Sequence, residues 1–171
     1  GILTSTSLFV DRPWSDEAAR LSRETPSLGV GLHADLDSSA PLGVGAALRR
    51  QLARFEDLMG AAPTHLDSHH NVHRRPEVLP ECLTVAKEQD LLVRDFSEVR
   101  YVPDFYGQRR GVMDLRHVGV ASLIELLRSS VTEGMTELGC HPGYVDADFV
   151  SRYTTERECE LRTLCDPRVR E

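Results

Sequence analysis

Short β-rich runs alternate along this chain with amphipathic helical patterns, and no other feature constrains the fold as tightly, because strands joined through helices pair in parallel. Ile2 to Val10 reads as a strand. Ser15, followed by Asp16 and Glu17, marks a helix start with an acidic first turn, and Pro26 lies in the loop after its end. Residues Leu28 to Leu32 predict a second strand. From Ala46 onward Leu48, Leu52, Phe55 and Met59 recur at helical spacing, and Gly60 stands where a C-terminal glycine belongs. A third strand follows at Thr64 to Leu66, a helix at Pro76 to Gln89 and a fourth strand at Leu91 to Val93. Val99 to Gly111 has no clean period and reads as a long connection with a turn at YGQRRG. Helix over Ala121 to Val131, strand over Met135 to Cys140 and helix over Thr155 to Leu164 complete an α/β pattern with a mainly parallel sheet.

At 171 residues, 40% hydrophobic and 27% charged, the chain suits one domain with a real core, and it shows no repeat, low-complexity tract or linker. A formal net charge of -7 with no basic run speaks against nucleic acid and anionic bilayers as partners. The apolar start GILTSTSLFV is short, broken by hydroxyls and without a basic flank, so neither a signal peptide nor a membrane span is expected, and a cytoplasmic location is. The four cysteines (Cys82, Cys140, Cys159 and Cys165) form no CxxC pair and read as reduced, packed thiols. Cys140 precedes a histidine but lies in an apolar segment and takes no catalytic role.

Of seven histidines, five sit on or just after a predicted strand: His33, His65, His69, His70 and His141. Strands of a parallel sheet point one way, so residues just past their C-terminal ends gather on one face, where α/β folds place their sites. Imidazole and carboxylate crowd into THLDSHHNVH, a set suited to zinc or another divalent ion in an open site, since no cysteine pairs accompany them. His69 is the better-aimed ligand, and with His33 it is expected to bind the cation. Asp67 either orients a histidine, holds a water or is a solvent-facing turn residue. His65 shares the strand face of Asp67 and can simply be packed, while His117 reads as a surface residue. His73 and Arg94 are candidate substrate contacts, with a capping or surface role as the alternative for Arg94.

GVGLHADL, THLDSHHNVH and TELGCHPGY, in that order and spacing, resemble three internal motifs of YdjC-like carbohydrate deacetylases, including chitooligosaccharide deacetylases. The flanking GILTSTSLFV and RECELRTLCDPRVRE also look like that family, so the resemblance covers nearly the whole chain. It implies a distorted TIM-like (β/α) barrel that uses a divalent ion, Mg2+ or Zn2+, to hydrolyse an N-acetyl group from an amino-sugar oligosaccharide. Carried over by motif, His33 and His69 are metal ligands and His141 is the histidine near the scissile bond. The family begins with a strand ending in a motif like NADDFG, whose aspartates supply a ligand and the base. This sequence starts downstream of that motif and stops before the last strand and helix. The expectation is therefore one domain over residues 1–171, an incomplete barrel truncated at both ends and inactive or very slow on its own. Open strand edges predict a homodimer through Ile2 to Val10.

In that arrangement a metal-bound water attacks the acetamide, a carboxylate such as Asp67 takes its proton, and His141 protonates the leaving amine. Two other classes stay open. A metal-dependent phosphoesterase should surround the same histidines with Lys or Arg, which are sparse in the motifs, and a non-catalytic sugar- or metal-binding relative would keep the pocket and lack the base.

Overall fold

The segment GVGLHA is buried on both faces along nearly its whole length, the pattern of a strand covered by helices above and below. A computed structural model describes residues 2–36 and 43–170. They form two compact units, one of residues 4–97 and one of residues 2–3 with 98–170.

In the first unit, strand β1 (Ser5–Leu8), helix α1 (Ser15–Arg23), strand β2 (Gly29–Ala34), helix α2 (Val44–Met59), strand β3 (His65–Ser68), helix α3 (Leu79–Glu88) and strand β4 (Leu92–Val93) follow one another. All neighbours in the sheet order β1-β2-β3-β4 are parallel, so every connection is a crossover. Leu48, Leu52, Phe55 and Leu58 give α2 its buried stripe, and Gly60 ends it with φ of 71°, a left-handed conformation that glycine takes without strain. The core joins these residues to Leu8, Val30, Leu32 and Leu66 from the sheet and Cys82, Val85 and Ala86 from α3. The Ser15 hydroxyl donates to the carbonyls of Phe9 at 2.8 Å and Arg12 at 2.6 Å, tying the helix start back to the end of β1 rather than capping its own amides.

The first strand is shorter than the expected Ile2 to Val10: Ile2 packs against the core of the second unit instead. β1 lies at the edge of its sheet with Ser5 and Thr6 exposed, and it is the strand that the dimer expectation invokes.

Gly31 is the close-approach position of β2: a Cβ built there would lie 2.4 Å from Nε2 of His65 and within 2.6 Å of two more ring atoms. Gly31→Ala should therefore destabilise the protein by about 1–3 kcal/mol, as overpacking does, and a denaturant midpoint equal to that of the unaltered protein would show that the imidazole yields freely.

The second unit contains strand β5 (Arg100–Val102), the two-residue strands β6 (Gln108–Arg109) and β7 (Val112–Met113), helix α4 (Val120–Ser130), strand β8 (Thr136–Leu138) and helix α5 (Thr155–Leu164). β5 pairs in parallel with β8, and β6 with β7 as a tight hairpin in which Arg110 and Gly111 take positive φ. The region that reads as a structureless connection thus carries a strand and a hairpin. Phe105, Val118, Leu123 and Leu164 form this unit's core. His117 is half-buried, its Nε2 3.4 Å from Asp114, rather than a free surface residue. Among the described residues no helix is long and apolar enough to cross a membrane.

Candidate active site

His33 and Asp67 are direct partners across the β2–β3 register, so their side chains leave the sheet side by side. Nδ1 of His33 lies 2.8 Å from Oδ1 of Asp67. A carboxylate only accepts, so Nδ1 is the nitrogen that donates and Nε2 is the one left to face a ligand. The other carboxylate oxygen accepts from Ser7 on β1 at 3.2 Å and meets a guanidinium nitrogen of Arg94, just past β4, at 2.7 Å. Burial pushes the Asp67 carboxyl up, but the His33 hydrogen bond and the charges of Arg94 and His33 outweigh it and hold the group below the usual carboxylate range. Four neighbouring strands thus meet in one buried carboxylate.

His69 follows β3 directly, and its ring centroid lies 5.7 Å from that of His33. Phe9, just past β1, presents its ring to both, at 4.5 Å from His33 and 5.3 Å from His69. Arg12 stacks over Phe9 at 4.9 Å and pairs with Asp35 at 2.5 Å, forming a half-exposed rim. Burial, then the charges of His70 and His33, lower the pKa of His69 and favour the neutral ring, which is the ligating form. The turn that aims it is unusual: His70 and Asn71 both take left-handed φ, at 52° and 53°. In kind, a pair of imidazoles suits a first-row divalent ion. They supply only part of a coordination shell, because among the described residues no group of three or more His, Cys, Asp or Glu side chains could hold a metal.

Burial and hydrogen bonding bear on three of the expected roles. His73 is fully buried; its Nε2 lies 3.2 Å from the carbonyl of Arg94 and its Nδ1 2.7 Å from the Ser68 hydroxyl, so it braces β3 against the end of β4 and has no surface for a substrate. Arg94 sends one guanidinium nitrogen to Asp67 and keeps its side chain 14% exposed. Asp67, with a side chain only 2% exposed and both oxygens occupied, orients His33 and is not placed to take a proton from water. Sequence reading missed Ser7, Phe9 and the Arg12–Asp35 pair, whose only signal was their position just inside or beyond strand ends.

In the second unit His141 follows β8 and is exposed. Its ring stands edge-on to Tyr106 at 5.6 Å and Tyr153 at 5.8 Å, which stack on each other at 4.5 Å. Its backbone N–H donates to Glu160 and its carbonyl accepts from Arg157 at 3.2 Å. Cys140 is half-buried, and desolvation followed by the charges of Glu160 and Glu137 pushes its thiol up to about 12, in keeping with an unreactive packed group.

A carbohydrate deacetylase of Geobacillus stearothermophilus is 33% identical over 204 aligned positions, covering 98% of this chain and 80% of the relative. A chitooligosaccharide deacetylase of Serratia marcescens is 29% identical over 217 positions, covering 99% and 83%. A solved structure from Enterococcus faecalis V583, provisionally named a cellobiose-phosphate cleavage protein, superposes with a TM-score of 0.77 over 99% of this chain and 82% of its own, at 21% identity, which shows the parallel α/β fold to be shared. The sequence profile of YdjC-like proteins matches residues 43–171, taking in THLDSHHNVH, GCHPGY and RECELRTLCDPRVRE. With three-quarters of its length matched to that profile, the chain belongs to the YdjC-like family.

Proposed function

We propose that this protein is a carbohydrate deacetylase that hydrolyses the N-acetyl group of an amino-sugar oligosaccharide, with His33 and His69 as two ligands of a divalent ion, Mg2+ or Zn2+. The observation that carries the reading is the Ser7–Asp67–His33 relay beside a neutral His69, an arrangement that fixes which nitrogen His33 presents. The deacetylase relatives support the substrate class.

A bound divalent ion supplies Lewis acidity, lowering the pKa of water toward roughly 7 and polarising a carbonyl. The chain's own residues do the rest. Arg94 keeps Asp67 ionised, and Asp67 holds the His33 ring in one tautomer and one orientation. Phe9 packs edge-on against both imidazoles and limits their rotation. Of the two aspartates at these strand ends, Asp35 keeps exposed carboxylate surface and faces His69 electrostatically, so it is the better placed to receive the proton of the attacking water. As the carbon–nitrogen bond breaks, the departing amine needs a proton, and His141 is the group proposed to give it. Acetate and a free amino sugar result.

The test is acetate release from N-acetylated chitooligosaccharides with added Mg2+ or Zn2+, against the same reaction in chelator. Metal-dependent release is expected, at the slow rate that a partial ligand set allows. Oligosaccharide binding with no acetate at any metal concentration would favour the non-catalytic relative, and phosphate release from a sugar phosphate without deacetylation would favour a phosphoesterase.

A further inference from the structure

Helix α5 reads from sequence as charged, yet two of its carboxylates, Glu156 and Glu160, are fully buried. Burying a carboxyl is costly unless every oxygen finds a donor, and here each does. Glu156 accepts from the Gln108 side-chain amide at 2.6 Å and from the backbone of Thr154 at 3.0 Å. Glu160 accepts from the Tyr153 hydroxyl on one oxygen and from the backbone N–H of His141 on the other. The Tyr153 hydroxyl in turn accepts from the backbone N–H of Gly107 at 2.7 Å. Gly107 can come this close only without a side chain, since a Cβ there would lie 2.8 Å from Cγ of Glu156.

Both backbone polar groups of His141 are therefore held by one turn of one helix: the N–H by Glu160 and the carbonyl by Arg157. Its ring is bounded by Tyr106 and Tyr153, and Tyr153 is itself locked by Glu160. Hydrophobic residues at these helix positions would serve a core better than two desolvated carboxylates, so stability alone does not account for the arrangement. Burial drives the pKa of Glu160 up, which marks the same cost from another side.

We propose that Glu160 and Tyr153 are positioning residues for His141: the carboxylate clamps the His141 backbone and the tyrosine sets one wall of its imidazole, so that the ring is presented in one direction. This rests on His141 acting as the acid of the reaction proposed above. Neither Glu160 nor Tyr153 touches the substrate in this scheme.

The experiment compares the full chain with its Glu160→Gln and Tyr153→Phe variants. The readouts are amide hydrogen exchange at His141, kcat and KM for acetate release from N-acetylchitooligosaccharide with added Zn2+, and Tm. In Glu160→Gln one of the two donors meets an amide N–H instead of an oxygen. His141 should then exchange about tenfold faster or more, while protection in the rest of α5 stays as it was. Misplacement of an acid by a fraction of an ångström to 1 Å should lower kcat about 10- to 100-fold with KM within about twofold. Tyr153→Phe should move both readouts the same way, and it decides alone if Glu160→Gln does not fold. Unchanged His141 protection, or lost protection with unchanged kcat, overturns the positioning role. His141→Asn separates the two readings: if it keeps full kcat, the acid role and the positioning role fall together, whereas its loss of kcat beside a fully active Glu160→Gln overturns the positioning role alone.

Discussion

His69→Ala should lower acetate release by about 100-fold or more and weaken Zn2+ binding measured by calorimetry by at least as much. Losing a group that merely supports a ligand typically costs 10- to 100-fold in metal affinity or activity, and His69 is proposed to be a ligand itself. The neutral ring matters here: it is flanked by His33 at 5.7 Å and by His70 at 3.9 Å, and their charges both disfavour protonation. His33→Ala should behave alike, because Asp67 engages its Nδ1 and leaves Nε2 as the nitrogen a cation would meet. Zn2+ affinity within a few fold of the unaltered protein in both variants would remove these histidines from the metal proposal.

Asp67→Ala should be the most damaging single change to stability in this region. It leaves the Arg94 guanidinium, 14% exposed, without the carboxylate it faces and removes the partner of His33 Nδ1. Breaking a buried ion pair from one side costs about 3–5 kcal/mol, a large part of a domain's total. Adding Arg94→Met to Asp67→Ala should recover a good share of that loss, since the second change removes the stranded charge. Urea denaturation of the two single variants and the double variant forms the cycle. Additive effects would mean that Asp67 and Arg94 are not energetically coupled in the folded protein.

What the sequence declared were the elements whose signals are local. The stripe Leu48, Leu52, Phe55 with Gly60 behind it places α2, and Thr155 to Leu164 is helical over the expected span. The strand-end rule brings His33, Asp67 and His69 together because parallel crossovers make it a matter of topology. Elements whose reason lies far away in sequence were not legible. β5 is three residues long and exists because β8, some 36 positions later, pairs with it. His73 reads as one more polar group in THLDSHHNVH, and only the Arg94 carbonyl 21 residues on makes it a buried brace. Glu156 and Glu160 look like the solvated face of a charged helix, and nothing near them announces that Gln108, Tyr153 and the His141 amide will cover them.

The division of the chain at residue 97 orders events during synthesis. Ser7, His33, Asp67, His69 and Arg94 all fall in residues 4–97, which have their own apolar core and strand pairings that each span a single crossover. Domains condense N-terminal first during synthesis, so these side chains can leave the ribosome and meet before the His141 segment does. A cation captured then would act on a nascent chain, favouring its early structure by mass action while the downstream residues are still being made.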